Sequence, residues 1–125
     1  MDITPAVPAG RQVVESYGGG RFRVSGVSFE GSVLVLPERT VAWDATRPED
    51  VSPERLRPVL DLASEIEILL LGCGPAWAPV AVELREALRE HGIALESMDT
   101  GAACRTYNVL LAEGRRVAAA LIAVE

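Results

Sequence analysis

An almost uninterrupted apolar run, Ile66–Leu71, constrains the fold of this 125-residue chain more than any other feature. A strand that is apolar on both faces is covered on both faces, as in the parallel sheet of an α/β protein. The run ends in a glycine loop, Gly72-Cys73-Gly74-Pro75, which we expect to lead into a helix. The central stretch therefore predicts a sheet with helices packed on both of its faces.

The segment after this loop changes to a helical period. Between residues 79 and 91 apolar residues recur at helical spacing, and Gly92 is typical of a helix C-terminal stop. Residues 93–98 then predict a second strand. In such a strand–helix–strand unit the two strands are parallel and end at the same edge of the sheet. We therefore expect the glycine loop to lie close to Asp99-Thr100.

The first half of the chain indicates an antiparallel section with short strands and frequent turns. After a flexible tail over residues 1–10, the strands are predicted at residues 11–17, 21–24, 27–30, 32–36 and 39–43. A helix is expected to begin at Ser52, because serine caps helices and Pro53 suits the first helical position. Its apolar stripe extends to Ala63. Residues 11–125 are expected to form a single domain.

The C-terminal segment allows two interpretations. Residues 99–113 could form one continuous helix, but we favour a short capped turn that ends near Arg105. A β-hairpin would follow, with strands at residues 107–111 and 117–124 and a turn at Gly114. This interpretation makes the last strand antiparallel to its neighbours, so that the sheet is mixed.

The composition excludes several classes of function. The formal net charge is −6, which argues against binding to nucleic acid. All twelve basic residues are arginine, which excludes a catalytic lysine and a phosphate-loop lysine. No apolar run approaches the roughly 20 residues of a membrane span, so no membrane insertion is expected. The N-terminal residues resemble neither a signal peptide nor a transit peptide, and two cysteines make no disulfide scaffold, so we expect a cytoplasmic protein.

Polar and glycine residues gather at the predicted ligand-binding edge of the sheet, where α/β proteins tend to bind small molecules. The candidate pocket comprises Gly72, Cys73, Gly74, Asp99, Thr100, Arg105, Thr106 and Asn108. Each part also has a simpler interpretation. The glycines match a dinucleotide fingerprint weakly, since Trp77 stands where its third glycine belongs. That tryptophan could shape a pocket or cover the sheet, and we favour cover. Asp99 or Thr100 would equally serve as a helix cap.

Catalytic and metal-binding residues are not apparent. Cys73 is predicted near a helix N-terminus, where a thiolate is stabilised. Its only potential base, His91, lies at the far end of the same helix, about 20 Å away. A zinc site needs three or four ligands in one place, and none can be assembled around one remote histidine. We therefore predict no cofactor and no metal, and the residues favour a non-catalytic role while leaving enzyme activity open.

Residues with a recognisable order and spacing run from position 16 to position 122. They are Ser16-Tyr17-Gly18, Phe22, Gly26, Leu36-Pro37, Trp43, Ile66-Glu67-Ile68, Gly72, Gly74, Gly92-Ile93-Ala94, Asp99-Thr100, Ala103, Thr106-Tyr107-Asn108, Glu113-Gly114-Arg115 and Ala119-Ala120-Leu121-Ile122. In these residues the chain resembles the small-domain family that includes the mitochondrial respiratory complex I assembly factor 3 and an adipogenesis-associated cytosolic homologue. Bacterial and archaeal members belong to the same family.

The resemblance implies a three-layer fold around a mixed sheet with one antiparallel strand. It also implies protein contacts, in aid of a membrane or respiratory complex, rather than an enzyme activity. Relatives commonly carry threonine where this chain has Cys73, which argues against a required nucleophile there. The partner could also be a second copy of this chain. The alternative function is that of a small-molecule or anion-binding protein, or of a weak enzyme, that uses the edge formed by Gly72–Gly74 and Asp99–Asn108. The alanine- and arginine-rich, lysine-free composition is consistent with a bacterial source.

Overall fold

The computed structural model describes residues 10–125, so the predicted tail lies outside the described residues except for Gly10. Two sheets and three α-helices make up the described chain. The strands are β1 (Val14–Gly18), β2 (Arg21–Val24), β3 (Val27–Glu30), β4 (Val33–Val35), β5 (Thr40–Ala42), β6 (Ile68–Gly72), β7 (Ala94–Met98) and β8 (Val117–Leu121). The helices are α1 (Arg57–Leu60), α2 (Val82–Arg89) and α3 (Thr100–Ala112). None of the helices in this part of the chain is both long and apolar enough to cross a membrane.

The five-stranded sheet is mixed and has the strand order β5-β4-β8-β6-β7. β6 is parallel to both of its neighbours, β7 and β8. β4 is antiparallel to β8 on one side and to β5 on the other. A single strand, β4, therefore runs against the rest, which confirms the predicted mixed sheet with one antiparallel strand.

β6 is the fourth of the five strands, and both of its faces are covered, as the apolar run predicts. Leu69 and Leu71 pack into the cluster on one face, and Leu70 packs into the cluster on the other. All three side chains are at most 2% exposed. Burial on this scale stabilises by about 1.5–3 kcal/mol for each leucine.

The two clusters define the three layers of the domain. One face of the sheet is covered by α1 and α2, through Leu56, Val59, Leu84 and Leu88. The opposite face is covered by α3 and by the three-stranded antiparallel sheet β1-β2-β3. Phe22 of β2 and Tyr107 of α3 are the large aromatic side chains buried in that second cluster. The small sheet and α3 therefore pack side by side on the same face of the central sheet.

The predicted C-terminal hairpin is wrong, because residues 100–112 form one continuous helix, α3. Its buried positions, Thr100, Ala103, Cys104, Tyr107, Asn108 and Leu111, recur at helical spacing along one face. Packing of that face on the sheet outweighs the strand preference of Tyr107 and Val109, since local propensities are weak beside tertiary burial. Gly114 (φ +80°) follows the helix end instead of forming a hairpin turn.

The predicted final strand exists, but its direction was assigned wrongly. β8 lies between β4 and β6 and is parallel to β6, so it is not antiparallel to both neighbours. All five of its residues are buried. Its alanines leave room for layers on both faces, which is why a sequence of high helix propensity forms a central strand here.

The predicted helix from Ser52 is much shorter than expected. α1 has four residues, and single 3-10 turns flank it at Pro48–Asp50 and Ala63–Glu65. Ser52 does make the expected capping contact, in which its Oγ accepts from the Arg55 amide at 3.2 Å. Pro58 is tolerated in the first turn of α1, but it has no amide to donate to the Glu54 carbonyl, so a regular helix cannot run unbroken from Ser52.

Candidate functional site

The glycine loop and the start of α3 meet at the edge of the sheet where β6, β7 and β8 end. The Thr100 amide donates to the Gly74 carbonyl at 2.9 Å, and the Gly74 amide donates back to Thr100 Oγ1 at 2.9 Å. The same hydroxyl donates to the Ile122 carbonyl at 2.7 Å. The juxtaposition expected from parallel strands is therefore present, and Thr100, which is fully buried, joins three chain segments.

Gly72 permits this close approach. A Cβ atom at position 72 would stand 3.0 Å from both Cα and Oγ1 of Thr100 and 3.1 Å from Leu121 Cδ2. Carbon atoms in proteins rarely pack so tightly, so a side chain here would push α3 away from the sheet. At this position the glycine serves close strand–helix packing.

Asp99 is the N-cap of α3. Its carboxylate oxygen accepts from the Ala102 amide at 2.9 Å, which satisfies one of the free donors at the helix start. The simpler interpretation of this residue, a helix cap, describes its geometry. The carboxylate is partly buried within this contact.

Three other members of the candidate pocket lie further along α3. Asn108 is eight residues from Thr100, about 12 Å along the helix axis. Its side chain bridges the backbone of Val14, accepting from the amide at 3.2 Å and donating to the carbonyl at 2.7 Å. Arg105 donates to the Tyr17 hydroxyl at 2.8 Å, and Thr106 is partly buried. The pocket assembled from all eight residues stays a prediction, and the structure brings together only its glycine-loop and Asp99-Thr100 parts.

Both cysteines are buried thiols. Cys73 was expected at a helix N-terminus, but α2 begins only at Val82 and a loop intervenes. Burial raises the pKa of the Cys73 thiol, whose Sγ donates weakly to the Ala78 carbonyl at 3.7 Å. Burial also raises the pKa of Cys104 to about 12. Neither thiol therefore has the thiolate character that nucleophilic catalysis requires.

We predict that both thiols resist alkylation in the folded protein. At pH 8 the raised pKa of Cys104 should lower its thiolate fraction about 10³-fold relative to an ordinary cysteine. Mass spectrometry after iodoacetamide treatment should find neither adduct in native buffer and two adducts in guanidinium. Rapid native modification of Cys73 alone would show that its loop opens, and would contradict the expected protection there.

Trp77 is the functional candidate that the sequence assigned wrongly. It was expected to cover the sheet, but its side chain is 62% exposed. The indole nitrogen donates to Ser97 Oγ on β7 at 3.0 Å, which holds the ring beside the edge of the sheet. The signal in the sequence was the proline- and alanine-rich stretch 75–81, which has too few large apolar residues to bury.

An apolar surface surrounds this tryptophan. Most of residues 75–82 are exposed, including Val82 at the start of α2. A cleft of about 320 Å³ adjoins them, lined by Pro48, Val51, Leu71, Pro79, Val80 and Leu84 among others. We call residues 75–82 and this cleft the Trp77 surface. No group of three His, Cys, Asp or Glu side chains that could hold a metal ion occurs in residues 10–125.

Comparison with known proteins places the chain in a family. A family model described as "Protein of unknown function (DUF498/DUF598)" matches residues 14–122. The zebrafish (Danio rerio) protein named NADH dehydrogenase [ubiquinone] 1 alpha subcomplex assembly factor 3 is 38% identical over 110 residues. An uncharacterised protein of Rhodobacter capsulatus is 38% identical over 114 residues, which cover 91% of this chain and 86% of that protein.

A solved structure matches the whole fold. The crystal structure described as an outer membrane protein from Bartonella henselae has a TM-score of 0.87 and 42% sequence identity. The match covers 96% of this chain and 100% of that one. The zebrafish match covers 88% of this chain but 63% of the relative, so this chain spans somewhat less than two thirds of that protein's length.

Proposed function

This chain belongs to the family described as "Protein of unknown function (DUF498/DUF598)", and from that membership we propose that it is an assembly-factor-like protein. The observation that carries the proposal is its 38% identity, over 88% of its length, to a protein named as an assembly factor. A shared fold alone would not suffice, since one fold hosts many functions. Here the similarity extends to the sequence of almost the whole domain.

The finer part of the proposal concerns the partner. The zebrafish relative is named for the assembly of NADH dehydrogenase, so we propose that this chain contacts subunits of a respiratory NADH dehydrogenase. It would do so from the cytoplasm, during construction of the membrane complex. The contact would be made between proteins, without turnover of a small molecule.

The Trp77 surface supports a role in protein contact. Exposed apolar patches on soluble domains mark interaction sites, and tryptophan is enriched among the residues that dominate binding energy. The hydrogen bond from Trp77 to Ser97 fixes the ring before binding, which reduces the entropy lost on association. Beside it, β7 is the last strand of its sheet, and its outer edge is covered in part by Arg85, which donates to the Leu95 carbonyl.

The test is an affinity capture of the tagged chain from its own cells after mild solubilisation of membranes. We expect NADH dehydrogenase subunits to co-purify with the wild type. The Trp77→Ser variant should recover about thirtyfold less of them, because truncation of a tryptophan that dominates binding typically weakens an interface by 2 kcal/mol or more. Quantitative mass spectrometry of the captured proteins measures the ratio.

The chain offers a matched control for this experiment. Val109 on α3 is 55% exposed, similar to Trp77, but it lies in the layer on the opposite face of the central sheet. The Val109→Ser variant should capture the same subunits as the wild type. Equal recovery by Trp77→Ser and wild type would exclude the Trp77 surface, and recovery of no respiratory subunit would refute the proposed partner.

A further inference from the structure

A second cleft, of about 310 Å³, lies at the opposite end of the central sheet from the Gly72–Thr100 contact. It is bordered by the segment where α3 ends and β8 begins, and by residues just before β6. Arg11, Arg115 and Arg116 line it, against one glutamate, Glu65. We call it the arginine cleft. Three of the twelve arginines thus border one cleft of a chain whose formal charge is −6.

Two arginines of the cleft already hold one carboxylate between them. Arg115 Nη2 lies 3.2 Å from Glu67 Oε1, and Arg116 Nε lies 3.7 Å from Glu67 Oε2. The Arg116 amide also donates to Glu67 Oε2 at 3.2 Å. That backbone hydrogen bond has the largest effect on the pKa of Glu67, and the hydrogen bond from Arg115 has the next largest. Together they hold this pKa below its usual range. Arg116 Nη1 also donates to the Ser64 carbonyl at 3.1 Å. The two arginines thus already hold one oxyanion, that of Glu67, whose side chain borders the cleft's rim without lining the cleft itself.

Stability alone does not account for this arrangement. Each of the two ion pairs is exposed to solvent, and exposed ion pairs contribute little to folding. The negative end of the α3 dipole favours a nearby cation, which explains an arginine just after the helix. It does not explain Arg11, which comes from the segment before β1. None of the ion pairs found among residues 10–125 involves the Arg11 guanidinium.

The floor of the cleft is apolar. Pro37, Leu111 and Val117 line it between the charged side chains, and all three are buried. A ligand that fits both parts has an oxyanion group for the guanidinium groups and a short apolar portion for the floor. Arginine suits such a ligand, because its planar fork matches carboxylate and phosphate oxygens in pairs.

We propose that the arginine cleft binds a small molecule through a phosphate or carboxylate group, with Glu67 as an internal competitor for the same arginines. The segments that meet here, Ile66-Glu67-Ile68 and Glu113-Gly114-Arg115, are among those that carry the family resemblance, and the Trp77 surface does not use them. Binding at this cleft is separate from the proposed protein contact, so either proposal can fail alone.

The experiment is an NMR titration of the ¹⁵N-labelled chain with inorganic phosphate and, in a separate arm, with succinate, at constant ionic strength. We expect saturable shifts of the Gly114, Arg115 and Arg116 amides in at least one arm. Saturation by phosphate alone or succinate alone supports the proposal and identifies the oxyanion. No saturable shift in either arm overturns it.

Three variants separate binding from structure. Arg11→Gln and Arg115→Gln should each raise the dissociation constant about five- to tenfold, because each loses a charge-assisted contact with the anion. Glu67→Gln should lower the dissociation constant about threefold, because the carboxylate that competes for the arginines is gone. A purely structural network predicts no change in affinity for Glu67→Gln. An unchanged or higher dissociation constant in that variant therefore overturns the proposal.

Arg21→Gln is the matched control. Arg21 also pairs with a carboxylate, that of Glu30, across an exposed strand pair. It lies beyond the other end of β8, since the neighbouring Gly20 amide donates to the Val124 carbonyl. Its removal should leave the affinity unchanged. A loss equal to that of Arg115→Gln would show that the anion senses only net charge, which also overturns the proposal.

Discussion

Replacement of Asn108 by leucine is expected to lower the free energy of unfolding by about 2–6 kcal/mol. The Asn108 side chain satisfies both the amide and the carbonyl of Val14, and both residues are buried. Leucine has a similar size but can pair with neither group. Each orphaned buried backbone group costs about 1–3 kcal/mol, and the two losses fall on one residue. Small domains are stable by only 5–15 kcal/mol, so this single change should move the urea midpoint substantially.

Amide hydrogen exchange gives this prediction a second readout. Asn108 joins α3 to β1, so exchange of the Val14 amide should accelerate far more than exchange of the β6 amides. Val109→Ala is the control, because the adjacent side chain is exposed and surface changes usually stay within about 0.5 kcal/mol. A loss below about 1 kcal/mol for Asn108→Leu would mean that water replaces the amide contacts, contrary to the expectation.

Replacement of Thr100 by valine should lower the free energy of unfolding by about 2–4 kcal/mol. Valine keeps the shape of threonine but has no hydroxyl, so the Gly74 amide and the Ile122 carbonyl lose their partner in a fully buried environment. Both groups are at the edge where the strands end, and solvent cannot easily reach them. Equilibrium denaturation in urea measures the loss.

Thr100→Ser separates the hydroxyl from the methyl group. Serine keeps both hydrogen bonds and loses one buried methyl, which should cost about 1 kcal/mol. The hydroxyl is therefore essential to the expectation, and the valine variant should be clearly less stable than the serine variant. Equal stability of the two variants would mean that the hydroxyl contributes no more than the methyl group, contrary to the expectation.

Local sequence signals were sufficient for the β6–α2–β7 unit. The apolar run over residues 66–71 required cover on both faces, and the helical spacing before Gly92 required a helix between two strands. The strands predicted at residues 21–24 and 27–30 agree with β2 and β3. In each case periodicity and turn residues act within about ten residues of chain, which is the range over which a sequence specifies structure by itself.

Local sequence signals were not sufficient for the C-terminal third of the chain. Residues 107–111 contain tyrosine, valine and leucines, which fit a strand or a buried helix face equally well. A glycine after this segment is typical of both a hairpin turn and a helix C-terminus, so Gly114 did not distinguish a hairpin from a helix. The position of β8 decided it, because β8 pairs with β4 on one side and with β6 on the other, which leaves no edge for a hairpin partner from residues 107–111.

The candidate site divides in the same way. The sequence was sufficient to predict that the glycine loop and Asp99-Thr100 share an edge, since parallel strands end together. It did not determine that Asn108 contacts β1, that Trp77 is exposed, or that Arg11 and Arg115 line the same cleft. Those contacts join segments that are distant in the chain. They depend on which elements pack against each other, and only the tertiary structure settles that choice.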